Sequence, residues 1–379
     1  MMMFVYVLVA ILTLLFMITV HEVGHYLAAK LLKFRVNEFA IGFGKAIFKH
    51  TNKKTGEIFS LRMFPLGGFC AFEGEGDAGS PGANKTATQT LEGPHVGKGG
   101  HRTTAVRFTP DGKPITPFNE MAPWKRLIVL FSGAFFNFIC AVVFSIILVG
   151  AMGYYQQAKI TKVDSASHLN GTLKTGDIVK EVNGKKFTFL NNFQSRIAPF
   201  KINEEFKMTI VRDGQTKQVT VKKAQIDPID GERYWALGIS SEVSFIKLGF
   251  GGAIEKGFVF SGELVWMMLK LLGQMATFKV SFSQMGGTFS TISVMGQAIS
   301  TSWMTILILI PLISVNLAVV NLLPIPALDG ARMVFVLIEW VRGKPVNPEL
   351  ENRIHMIGLF ILFGFMILLD LNYLIFSRL

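Results

Sequence analysis

The chain has 379 residues, half of them hydrophobic, and a formal net charge of +12; its mean hydropathy is +0.42. Such a composition excludes a wholly soluble globular protein and points to a polytopic α-helical membrane protein carrying some soluble structure. The basic residues are scattered beside apolar runs and through one soluble stretch, which favours membrane orientation and anionic lipid over nucleic acid. Two cysteines, Cys70 and Cys140, argue against a disulfide framework.

In chain order, residues 1–33 read as the first membrane span. From Phe4 to Val20 only Thr13 and Thr19 interrupt the apolar run, and His21-Glu22-Val23-Gly24-His25 continues it without a helix breaker. The run lacks a basic n-region and a small-residue cleavage site, so it reads as retained rather than as a signal peptide. On a helix, residues i and i+4 share a face, so the two histidines can grip one zinc ion while Glu22 activates water as a general base. Ionisable groups within a bilayer cost roughly 2.5–3.5 kcal/mol each near its centre, which argues for a function here. Lys30, Lys33 and Arg35 mark the following end as cytoplasmic.

Residues 34–73 alternate strand-like segments with glycines around the turn-like Asn52-Lys53-Lys54-Thr55-Gly56, predicting a membrane-associated β-hairpin sheet on the cytoplasmic side. Residues 74–120 read as a flexible Gly/Thr/His-rich insertion of unassigned function, where His95 and His101 fit solvated loop histidines better than ligands. A second span, 121–153, opens on Pro123-Trp124-Lys125-Arg126, an interfacial signature. Within it Gly133 suits close helix approach. Asn137, a lone amide, suits a structural hydrogen bond between helices near the site more than a catalytic one.

Composition turns soluble over 158–244, with Gly176-Asp177-Ile178-Val179 and Val182-Asn183-Gly184 followed by a hairpin turning at Asp213-Gly214. Residues 248–290 hold a long but interrupted apolar stretch, broken by Glu263, Lys270 and Gln274. It reads as an amphipathic surface helix and linker in preference to a span. A third span and its following helix occupy 295–341. The sequence Asn321-Leu322-Leu323-Pro324-Ile325-Pro326-Ala327-Leu328-Asp329-Gly330 sits inside it. Two prolines and a carboxylate at membrane depth are tolerated only where irregular backbone lines a protein-enclosed cavity, so Asp329 is the natural third ligand beside His21 and His25. The last span is 355–376, and His355 at its edge reads as a solvated or packing residue rather than a ligand.

H-E-x-x-H in the first span and N-x-x-P-x-P-x-L-D-G in a later one, some 300 residues apart in that order, resemble the site-2 proteases, intramembrane zinc metalloproteases, in their bacterial RseP/RasP-like branch. The resemblance implies Zn2+ held by His21, His25 and Asp329, with Glu22 as base. It implies Asn316, Asn321, Gly67 and Gly68 as substrate-binding positions on the later span and the hairpin, and Gly133 with Asn137 as a G-x-x-x-N element. Pro324 and Pro326 belong to the structure around the site. Ala331 departs from the family's usual glycine, and Gly286-Gly287 stands where the family has Gly-Pro. The soluble stretch resembles a PDZ domain, which could capture a peptide C-terminus by strand addition or act as a size filter.

The apolar runs and their basic flanks give about four transmembrane helices with an extracytoplasmic N-terminus and PDZ-like stretch, and the likenesses imply location in the bacterial cytoplasmic membrane. The implied partners are the bilayer and single-span proteins already shortened by another protease, such as anti-sigma factors or signal-peptide remnants. A membrane-embedded PDZ scaffold with a structural metal, or a metal-ion transporter, would explain less: the site lacks a closed fourth ligand, and the chain shows no internal repeat.

Overall fold

The computed structural model describes residues 2–74, 107–108, 114–164, 167, 169, 171–201, 203–226, 234–279 and 286–376. The chain divides into two compact units, residues 1–141 with 265–379 and residues 142–264.

The first unit is a helical bundle with a small sheet. Helix α1, Met2–Leu31, carries the apolar run through the histidines to Lys30. Strands β1, Val36–Thr51, and β2, Ile58–Phe72, follow. They are long because each is bent: Gly42 and Gly44 take φ of +86° and +84° and Gly67 takes +123°, values open to glycine at no steric cost. The first half of β1 therefore pairs with both halves of β2, Ala40 lying opposite Ser60 and opposite Phe69. Buried polar groups lock this sheet. Glu38 accepts from Ser60 Oγ and Arg62 Nη2, each at 2.6 Å, and Lys30 Nζ meets Glu57 Oε1 at 2.5 Å. The insertion expected over 74–120 lies mostly outside the described residues; β3, Arg107–Phe108, and β4, Pro114–Ile115, pair within it.

Helix α2, Pro123–Met152, begins in this unit. The chain returns through α4, Phe250–Ala276, then α5, Thr288–Thr301, α6, Thr305–Asn321, α7, Asp329–Arg342, and α8, Pro348–Phe376. Helices α1, α2 and α8 are long and apolar enough to cross a membrane, and α6 is a shorter apolar helix. Their outward faces carry large apolar side chains, among them Phe16, Phe135, Phe360 and Phe363, which suits hydrocarbon rather than water as solvent.

One reading of the sequence changes here. The continuous third span expected within 295–341 is two helices, α5 and α6, parted at Ser302–Met304, where Ser302 is extended and its hydroxyl accepts from the Met304 amide at 3.2 Å. Serine's local bond to the backbone competes with the helix, and Ser302 closes a run of three hydroxyl residues, Ser300-Thr301-Ser302, at the break. Helix α5 instead packs beside α1, where Ala10, Ile292, Met295 and Ile299 are buried together. Helix α4 is a single 27-residue helix that does not meet the apolarity of a span.

The second unit holds a mixed-length antiparallel sheet in the order β12-β5-β6-β8-β9, with β7 added to β6. Its strands are β5, Tyr154–Val163, β6, Ile178–Val182, β7, Lys185–Lys186, β8, Glu205–Arg212, β9, Gln215–Lys222, and β12, Ile239–Ile246. The short helix α3, Phe193–Ile197, is capped by Asn192, and β10, Ala224–Ile226, pairs with β11, Tyr234–Ala236. Alternation along β8 buries Phe206, Met208 and Ile210 against Ile160, Val179 and Phe187, each worth about 1.5–3 kcal/mol of transfer free energy. Asn183 and Asp213 reach φ of +48° and +51° beside Gly184 and Gly214, the backbone signature of two-residue hairpin turns.

Candidate metal centre

Helix periodicity alone stacks His21 over His25. Their rings meet edge to face with centroids 4.7 Å apart. Three hundred residues later α6 ends at Asn321, the chain turns through the two prolines, and Asp329 opens α7. A carboxylate in the first turn of a helix is favoured by the peptide dipoles there. The result is one cluster. His21 Nε2 lies 3.0 Å from Asp329 Oδ2, His25 Nε2 lies 3.3 Å from the same oxygen, and the two Nε2 atoms are 3.2 Å apart.

These separations come within about 0.3 Å of the lower limit zinc requires. With bonds of about 2.0–2.2 Å to nitrogen or oxygen, the edge of a tetrahedron is about 3.3–3.6 Å. The protonation pattern fits as well. His25 Nδ1 donates to the Val129 carbonyl at 2.8 Å, which leaves the Nε2 lone pair directed at the cluster, the arrangement that orients metal-bound imidazoles. Asn137, fully buried on α2, sets its amide nitrogen 3.4 Å from His21 Nδ1, while its Oδ1 is buried without a partner among the described residues. Turning that amide over brings the carbonyl oxygen onto a protonated Nδ1, again leaving Nε2 as the lone pair. Among the described residues, His21, His25 and Asp329 are the group of histidines and acids able to hold a metal ion.

Glycines make the space. A Cβ on Gly133 would overlap both imidazoles, and one on Gly24 would meet the Ser132 carbonyl and the Gly133 Cα. Helices α1 and α2 therefore approach closely just where the two imidazoles need room. The Arg126 guanidinium, buried on α2, reaches both carboxylate oxygens of Glu339 on α7 at 2.8 and 2.9 Å. That pair fastens the helix Asp329 begins to the one that orients the histidines.

The other residues singled out in the sequence divide into two groups. Glu22 is half-buried, and a Cβ built on Gly68 would lie 3.2 Å from its Cγ and 2.9 Å from the Ala40 carbonyl. The hairpin thus backs onto the glutamate with no room for a side chain. Gly67 is pressed by the Phe43 ring. Asn321 Nδ2 lies 3.5 Å from His21 Nε2. Asn316, five residues away and so on another face of α6, is exposed. Pro324 is exposed and Pro326 packs on α8. The sequence reading missed the Val129 carbonyl, which carries no side-chain signal, and His355, whose Nδ1 accepts from the Ala327 amide at 3.0 Å.

Comparison with known proteins agrees with this chemistry. The model of peptidase family M50 matches residues 9–365. A zinc metalloprotease RasP of Oceanobacillus iheyensis is 26% identical, over 94% of this chain and 95% of its own, and the RasP of Shouchella clausii is 27% identical over the same shares. A Fusobacterium nucleatum protein, named provisionally as a zinc metalloprotease, is 29% identical over 96% of this chain and 97% of its own. A solved PDZ domain from an SdrC-like protein of Listeria monocytogenes matches 23% of this chain and 88% of that one, at 21% identity and a TM-score of 0.20. The family match begins within α1, ends within α8 and encloses every member of the cluster, so this chain belongs to peptidase family M50 and is a zinc metalloprotease of the membrane.

Proposed function

We propose that the enzyme cleaves peptide bonds within transmembrane segments of single-span proteins already shortened by another protease, anti-sigma factors and signal-peptide remnants being the expected classes. The carrying observation is the convergence of three donor atoms at 3.0–3.3 Å on an apolar helix. His21 stands ten residues before Leu31, the end of α1, or about 15 Å at 1.5 Å per residue. That depth falls inside a hydrocarbon layer about 30 Å thick.

In this reading His21, His25 and Asp329 hold the zinc ion, which when bound polarises a scissile carbonyl and acidifies water. Glu22 takes the proton from the attacking water and passes it to the leaving amine, its side chain lying in space that a Cβ at Gly68 would crowd. A helical substrate hides its carbonyls in internal hydrogen bonds, so it must unwind before attack. The amides of Asn321 and Asn316 and the hairpin around Gly67 and Gly68 offer replacement bonds to the unwound strand. Helices α1, α2, the α5–α6 pair and α8 serve as four spans, with the N-terminus and the PDZ-like sheet outside the bacterial cytoplasmic membrane and α4 on its outer face. The sheet either captures a peptide C-terminus or screens substrates by size.

The test is cleavage of a single-span model substrate by the purified protein in detergent, with and without a zinc chelator. Chelator-sensitive cleavage, lost in Glu22→Gln while zinc is retained, is expected. Cleavage that survives Glu22→Gln overturns the assigned base, and a protein without bound zinc overturns the assigned ligands.

A further inference from the structure

We propose that His355, together with Gly358 one turn further along α8, is the positioning element of the metal centre, holding the loop that presents Asp329. The inference rests on Asp329 being a zinc ligand.

Residues 324–328 form the loop that leads into Asp329. Pro324 and Pro326 have no N–H, so three amides remain. Ile325 donates to the Leu323 carbonyl at 2.8 Å and Leu328 to the Ile325 carbonyl at 3.1 Å. The third, Ala327, donates to His355 Nδ1 at 3.0 Å. At membrane depth an amide without a partner is costly, because no water replaces the missing acceptor. Ala327 is also strained, at φ +82°, in the region an L-residue enters only when its surroundings hold it there. It stands two residues before Asp329, so rotation about its N–Cα bond carries the carboxylate away from the histidines.

Helix α8 grips the same loop a second time. A Cβ on Gly358 would overlap Pro326, with the Pro326 carbonyl oxygen 2.9 Å away, so this helix and the loop touch backbone to ring. The His355 imidazole is braced against Phe335 of α7, centroids 5.7 Å apart. Because Nδ1 is an acceptor, the ring proton sits on Nε2, which is buried without a hydrogen-bond partner among the described residues. The histidine is oriented by the loop amide, and the loop amide by the histidine. A helix that contributes no ligand thus sets where the third ligand stands.

The experiment measures zinc retention by the full-length protein in detergent under graded chelator competition, alongside thermal melting. In His355→Leu the acceptor is lost, and zinc retention is expected to fall about 10–100-fold, the usual consequence of removing an outer partner of a ligand. His355→Asn restores an oxygen acceptor at the position of Nδ1 and retains zinc close to the wild type. Adding Ala327→Gly to His355→Leu recovers part of the loss, since glycine takes the positive φ unaided. Wild-type retention in His355→Leu, or equal loss in His355→Asn, overturns the proposal. If His355→Leu does not fold, Gly358→Ala tests the second grip, and wild-type retention there overturns it. Asp329→Ala separates the two readings: zinc bound normally by that variant removes the ligand assignment itself.

Discussion

The two sides of the metal centre are built by opposite means. On one side a single uninterrupted helix supplies two imidazoles, and their spacing follows from 3.6 residues per turn. On the other, an irregular loop with two prolines and one left-handed alanine supplies a carboxylate, and nothing local fixes where it points. The helix side needs room, given by Gly24 and Gly133, and partners for the outer ring nitrogens, given by the Val129 carbonyl and Asn137. The loop side needs external clamps, given by His355, Gly358 and the Arg126–Glu339 pair. A ligand set can thus be half written in local periodicity and half in tertiary contacts, and the two halves should fail differently when perturbed.

The largest effect is expected on the helix side. Gly133→Val drives a branched side chain into both imidazoles and should abolish zinc binding and cleavage together. Metal content per purified chain measures it, and one zinc per chain in that variant would show that the close fit is dispensable. On the loop side, Arg126→Ala leaves Glu339 without its buried partner and should destabilise the protein by about 3–5 kcal/mol. Replacing both partners by apolar residues of similar size should recover most of that, as judged by thermal melting.

A smaller change sharpens the comparison rather than breaking it. Ala327→Gly removes the cost of a left-handed alanine, about 1–2 kcal/mol, against an entropic loss of roughly 0.5–1 kcal/mol for glycine. A net gain of at most about 1.5 kcal/mol in melting stability is expected, with zinc retained; a clear loss would mean the strain is not where the backbone puts it.

The smallest effect lies in the sheet unit, where a buried carboxylate is clamped by a neighbour on the same sheet. Burial alone would raise the Asp177 carboxyl, but the Arg212 guanidinium, at 2.6 and 2.7 Å, and the Lys174 amide outweigh it and hold the group below its ordinary 3.8. A depressed folded pKa stabilises the fold above the unfolded value. That contribution is lost as pH falls through the folded one. The sheet should therefore become susceptible to pepsin in the full-length chain below about pH 4, and Asp177→Asn should flatten that dependence.

Much of the site was legible in the sequence because its signals are local. H-E-x-x-H on an unbroken apolar run is a helix face, and prolines with an aspartate at membrane depth demand an enclosed cavity. Gly176-Asp177 and Val182-Asn183-Gly184 announced a sheet with tight turns. The break between α5 and α6 went unread, because the hydroxyl run Ser300-Thr301-Ser302 that marks it can also be carried inside a helix. Not legible were the role of His355, which depends on a single amide 28 residues earlier, and the contact that sets Gly68 against Glu22. The exposure of Asn316, beside the buried neighbours Ser314 and Val315, also depends on how α6 is rotated in the bundle.

The sequence by itself determined which residues form the candidate cluster, because residue type and helical period fix donor chemistry and the spacing of the two histidines. Only the tertiary structure decided where the third ligand stands and what holds it. A strained, twice-interrupted backbone has no preferred conformation of its own, and takes the one in which the packing of α2, α7 and α8 leaves every buried amide of the loop satisfied.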